Sequence, residues 1–185
     1  SANQIRSYLY YMNQQGLTKA TANRHLAAMK SFFKYVMRQE WLTINPVAEI
    51  SLAKLQRKLP RYLDVDEIVQ VLEAPDCSCE GGCRDRAIME ILYGCCLRIQ
   101  ELVTLQLQDI NFAQGWVKVM GKGGRERLAP LGSQAIAALK DYLNKSQENR
   151  RQHQQEGPQA ALFLNLKGGR LTDRAVRDIV RKYCL

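Results

Sequence analysis

Three side chains in the 185-residue sequence have types and a spacing that suit phosphate chemistry: Arg98, Glu101 and Lys122. Glu101 follows Arg98 by three residues, so on a helical turn its carboxylate can accept from the guanidinium and hold it in place. Lys122 sits in Gly121-Lys122-Gly123-Gly124, a glycine-rich run between two stretches of strand character, and reads as the tip of a β-hairpin. A held guanidinium and a lysine on a movable turn suit one task, neutralising a phosphate on which charge develops.

The surrounding pattern predicts what positions these groups. Ala87, Ile88, Ile91 and Leu92 form a helical stripe that leads to Gly94, where the helix loosens or ends. A second short amphipathic run follows Arg98 and holds Leu102, Val103 and Leu105. Trp116 to Val119 alternates apolar and polar as a half-buried strand does, and Arg125 to Leu128 is the returning strand. Upstream, Asp64 with Glu67 reads as a capping box for a helix that reaches about Glu73 before Ala74-Pro75. Downstream, Ser133 is expected to cap a helix through Leu143. The polar stretch 144–159 is expected to be a mobile loop, and Ala161 to Leu164 a strand or buried turn. Thr172 can cap a last helix, Asp173 to Tyr183, with Ala175, Val176, Ile179 and Val180 inward and Arg174, Arg177, Arg181 and Lys182 outward.

The N-terminal part carries much of the charge. Residues 1–56 hold seven basic and two acidic side chains, more than half of the chain's net charge of +9. Ile5 to Met12 reads as a short helix ended by Gly16, and a longer one runs from about Ala20 to Arg38. Its apolar face is Leu26, Met29, Phe32, Phe33, Val36 and Met37. Asn23, Arg24, Lys30, Lys34 and Arg38 gather on the other, with no acidic residue between Thr21 and Gln39. Solvated helices usually carry both signs, so this one-sided face favours phosphate contact. Trp41 and Leu42 are expected to pack back on this helix, and His25 to be a packed histidine. Residues 51–61 read as a linker.

Composition narrows the partners. A basic balance without an amphipathic anchor favours DNA or RNA over lipid, and no apolar run is long enough for a membrane span. Six cysteines and no export signal at the start point to reduced thiols in a cytoplasmic setting. Cys77, Cys79 and Cys83 lack the paired spacing of common zinc sites, so no metal is expected there. Cys95 and Cys96 read as small hydrophobes.

The segments LYGCCLRIQEL and VKVMGKGGRERLAPLG together resemble the first half of the catalytic domain of the tyrosine recombinases, most closely the Xer and phage-integrase branch. The resemblance implies that Arg98 and Lys122 belong to the active site, with Glu101 in support. Arg24, Lys30, Lys34 and Arg38 on the basic helix face, with Arg125, are the residues expected to contact DNA. The expected fold is mainly α with a small antiparallel β-sheet. Residues 1–50 would be a helical, SAM-like core-binding domain short of its first helix, 51–61 a linker, and 62–185 the N-terminal part of the catalytic domain. Family members act on double-stranded DNA as homo-oligomers, tetramers when intact, and need no metal or other cofactor. The family's second half supplies a His-x-x-Arg box and a nucleophilic tyrosine. Here His25 precedes Ala28 and His153 precedes Glu156, and Tyr183 follows no such box. The expectation is therefore a partial recombinase that binds DNA without cutting it. The alternatives are a non-catalytic protein that occupies or regulates recombination sites, and a basic helical protein that does not bind DNA.

Overall fold

The computed structural model describes residues 1–55, 62–121 and 123–184. Two compact units emerge, Ser1–Arg61 and Tyr62–Leu185.

In the first unit, helix α1 (Ala2–Gln14) and helix α2 (Lys19–Arg38) are joined through Gly16, whose φ of 73° closes the turn. Thr18 caps α2, its Oγ1 accepting from the Thr21 N–H at 3.2 Å. Ile5, Leu26, Val47 and Ile50 form the core, with Leu9, Met29 and Phe33 against it. Three expectations fail here. Phe32 is exposed, edge-on to Phe33, because the core is completed by Val47 and Ile50 on the Phe33 side. Trp41 is 70% exposed and meets α2 through an edge contact of its ring with Tyr35 and a hydrogen bond from its backbone N–H to the Val36 carbonyl at 3.2 Å, and Leu42 is exposed as well. His25 is exposed too, with Nδ1 2.9 Å from the Tyr8 hydroxyl.

The second unit is built round helix α4 (Glu80–Gly94), whose Ala87, Ile88 and Ile91 have no exposed surface. Ahead of it, helix α3 (Val65–Glu73) opens on the expected capping box. Asp64 Oδ1 accepts from the Glu67 N–H at 2.8 Å, and Glu67 accepts from the Asp64 N–H at 2.9 Å. The loop between them lies tight against α4: a Cβ on Gly82 would stand 1.8 Å from the Asp76 carbonyl oxygen, so only glycine fits. From α4 the Cys83 thiol donates back to the Cys77 carbonyl of this loop at 3.2 Å, and burial pushes its pKa up to about 11. Among the described residues no three metal-ligating side chains cluster, and no helix is long and apolar enough to cross a membrane.

After α4 come helix α5 (Ile99–Thr104), a 3-10 turn (Leu107–Asp109) and strands β1 (Ile110–Asn111), β2 (Trp116–Met120) and β3 (Glu126–Pro130). The sheet is antiparallel in the order β1-β2-β3, with Val117 opposite Ala129 and Val119 opposite Arg127. Strand alternation sends Val117 and Val119 into the same core as the α4 residues, as the hairpin pattern required. Helix α6 (Ser133–Lys145) packs against α4; Gly132, not Ser133, occupies its N-cap position. Helix α8 (Asp173–Tyr183) closes the unit, capped by Thr172 and anchored by fully buried Val176.

The stretch read as a mobile loop is ordered instead. Residues Gln147–Gln152 form helix α7, and its Arg150 is only 5% exposed. The guanidinium donates to the Ala161 carbonyl at 2.9 Å and to the Leu162 carbonyl, and lies 5.6 Å from the centroid of the Tyr142 ring. Its Nε donates to the Ser146 hydroxyl at 3.1 Å. Among the described residues no carboxylate pairs with this cation; backbone carbonyls and an aromatic face take its place. A polar sequence concealed this, because one buried arginine supplies the order that apolar residues usually supply.

Candidate nucleic-acid and phosphate site

Arg98 is the N-cap residue of α5, at the point where the chain leaves α4 and turns. Its backbone N–H donates to Glu101 Oε2 at 2.9 Å and its Nη1 to Glu101 Oε1 at 2.9 Å. The spacing seen in the sequence therefore produces the expected bridge. Glu101 is buried while the Arg98 side chain is 73% exposed, so the carboxylate anchors a guanidinium whose outer edge faces solvent.

Arg127 completes this group and was not expected from the sequence. Its Nη2 donates to Glu101 Oε2 at 2.7 Å, so one buried carboxylate holds guanidiniums from α5 and β3. The signal was present in the strand period. Arg127 shares the inward side of β3 with buried Ala129, where a cation needs an acidic partner. Burial alone would push the Glu101 carboxyl up. The hydrogen bonds from Arg98 and the charges of Arg127 and Arg98 outweigh that, and hold it below the usual carboxylate range.

Arg98, Gln100, Glu101 and Thr104 line a groove of about 370 Å³, with Met120 and Gly121 from the hairpin on its other side. Lys122, the second member of the expected pair, lies outside the described residues. Arg125 is exposed on the same hairpin. Gln100 donates to Asp173, which ties the first turn of α5 to the first turn of α8. Next to Arg98, Cys95 is buried, donates to the Pro130 carbonyl at 3.1 Å, and has its thiol pKa raised by burial. Cys96 is exposed with φ at 48°, not a buried hydrophobe, because the turn into α5 points it outward.

The two basic helices differ in how their charge is used. On α8, Arg174 and Arg181 pair with Asp178 at 3.9 and 3.6 Å, and Arg177 pairs with Asp173 at 3.6 Å. On α2, Arg24, Lys34 and Arg38 are exposed and Lys30 is half-buried, and none of the four pairs with a described carboxylate. Exposed Ala27, Ala28 and Ser31 lie on the same outward face, leaving little bulk between the cations. Asn23, grouped with this face in the sequence, is engaged elsewhere. Its amide donates to the Ala53 carbonyl at 2.8 Å, and its Oδ1 accepts from the Ala53 N–H at 2.9 Å, which pins the chain after the first unit's core.

Comparison with known proteins agrees with this layout. The phage integrase family model matches residues 61–185, and the phage integrase N-terminal SAM-like domain matches residues 1–40. Tyrosine recombinase XerC of Pelotomaculum thermopropionicum is 44% identical over 180 residues, 97% of this chain and 59% of that protein. Tyrosine recombinase XerD of Staphylococcus haemolyticus is 35% identical over 181 residues, 98% of this chain and 60% of that protein. The chain thus spans about 60% of the length of the curated relatives it matches. Among solved structures, XerH site-specific recombinase bound to its difH substrate aligns with a TM-score of 0.72 at 23% identity, over 99% of this chain and 54% of that one. A λ integrase tetramer bound to a Holliday junction aligns at 0.70 and 20% identity, over 100% of this chain and 50% of that one. At these identities the structural matches establish the fold. Mainly helical, with one small three-stranded sheet and a SAM-like N-terminal part, the chain belongs to the phage integrase family of tyrosine recombinases.

Proposed function

We propose that this chain supplies the DNA grip and part of the phosphoryl-transfer site of a XerC-like site-specific recombinase. The observation that carries the reading is Arg98, held by buried Glu101 at the rim of a groove whose opposite wall is the hairpin. Within it, Arg98 shares the charge on the non-bridging oxygens of the scissile phosphate, and Lys122, next in sequence after Gly121, protonates the leaving 5′-oxygen. The Ser1–Arg61 unit is a DNA-binding domain that meets the backbone with Arg24, Lys30, Lys34 and Arg38, and Arg125 adds a contact from the catalytic unit. The XerH structure holds its difH substrate and the λ integrase tetramer holds a Holliday junction, and assembly of this chain as a tetramer on DNA is proposed on that ground. These 185 residues contain no His-x-x-Arg box, so binding without cleavage is expected of them.

Filter binding of duplex DNA across a salt series tests the reading. Four or more phosphate contacts should give a slope of log affinity against log salt of about −4 or steeper. An affinity that is weak and insensitive to salt would remove the proposal.

A further inference from the structure

Glu101 accepts three hydrogen bonds, two from Arg98 and one from Arg127, and its carboxylate is almost wholly buried. In the proposed function, a DNA phosphate competes with that carboxylate for the outer edge of Arg98. A buried carboxylate that lost its only cation would be left uncompensated, and it would resist giving up the guanidinium. Arg127 removes this difficulty. It reaches Oε2 from a separate element, while Arg98 uses Oε1 through its side chain and Oε2 only through its backbone N–H. The Arg98 guanidinium can therefore turn toward a phosphate while Glu101 keeps a full positive partner and the cap of α5 stays closed. The same bond ties β3 to α5, and so fixes the hairpin against Arg98.

We propose that Arg127 is a positioning residue: it holds Glu101 in place and charged, so that Arg98 is free to engage DNA phosphate, without itself contacting DNA. The proposal rests on the functional reading above for its DNA part alone. Among the described residues, the charged groups facing Glu101 are Arg98 at the start of α5 and Arg127 on β3.

Two readouts on the 185-residue chain separate this role from others. The first is the titration of Glu101 followed by carboxyl carbon NMR in wild type, Arg127→Met and Arg127→Lys without DNA. Loss of one of two close cations should move the midpoint up by about one pH unit in Arg127→Met, and Arg127→Lys should bring it back toward wild type. The second is duplex DNA affinity against salt. Arg127→Met should weaken binding several-fold in the wild-type chain and cause no further loss in Arg98→Ala. A further decrease in slope of about one when Arg127→Met is added to Arg98→Ala would mean that Arg127 touches a phosphate itself, and would overturn the proposal. An unmoved Glu101 midpoint in a folded Arg127→Met protein would overturn it as well. If wild type does not bind DNA, the functional reading fails, while the titration still decides whether Arg127 holds Glu101.

Discussion

Replacing Arg150 with methionine is expected to destabilise the Tyr62–Leu185 unit by about 3 kcal/mol, the largest loss we anticipate from a single polar substitution. The effect comes from what stays behind. The Ala161 and Leu162 carbonyls are backbone groups in a buried turn, and removing the guanidinium leaves them without their donor. Each buried acceptor left unpaired costs roughly 1–3 kcal/mol. Against this stands the relief of no longer burying a cation, which lets some buried ions be replaced by apolar side chains at little cost. That relief is smaller here. The partners are main-chain oxygens that cannot be removed with the cation, and the Tyr142 ring loses a contact at 5.6 Å as well. Arg150→Lys should fall between the two, because one ammonium cannot reach both carbonyls and the Ser146 hydroxyl in the same plane. Urea unfolding followed by circular dichroism gives the comparison. A methionine variant with the wild-type midpoint would mean that the turn at residues 161–162 is held by its apolar side chains alone.

Arg98→Ala should have the larger effect on DNA. A single phosphate contact at the groove predicts about a tenfold loss of affinity at physiological salt and a slope shallower by about one. Stability should barely change, since the Arg98 side chain is 73% exposed and ion pairs of that kind contribute little. Arg98→Lys keeps the charge but cannot bridge Glu101 and a phosphate at once with a planar fork, so it should recover only part of the affinity. Arg174→Ala is the matching control on the other basic helix. Its guanidinium is already engaged by Asp178 on its own helix, and its removal should change affinity by no more than about twofold.

Local signals were legible in the sequence and long-range ones were not. The Asp64–Glu67 box, the Arg98–Glu101 pair and the Ala87–Ile91 stripe each depend on residues within one or two helical turns. All three stand as the spacing required. The hairpin followed from alternation plus a glycine-rich turn, with its return strand displaced by one or two residues, from Arg125–Leu128 to Glu126–Pro130. Arg150 escaped because its partners lie 11 and 12 residues further on and are carbonyls, which side-chain patterns do not show. Phe32 and Trp41 were placed inward by their apolar character. Whether an apolar residue is covered depends on what packs over it, and here Val47 and Ile50 cover Phe33 instead. The group round Glu101 was half legible: its helical arginine is a neighbour in sequence, whereas Arg127 arrives from a strand 26 residues later.

The Arg98 guanidinium is expected to receive a DNA phosphate. Its side-chain Nε–Hε resonance, assigned by comparison with Arg98→Ala and followed by NMR while duplex DNA is added, reports on that contact directly. We expect this signal to shift and slow in exchange with water, saturating at the same DNA concentration as the signals of Arg24 and Arg38. An Arg98 resonance that stays at its free position while the helix α2 arginines move would contradict that expectation: DNA would then be held by helix α2 without entering the Arg98 groove.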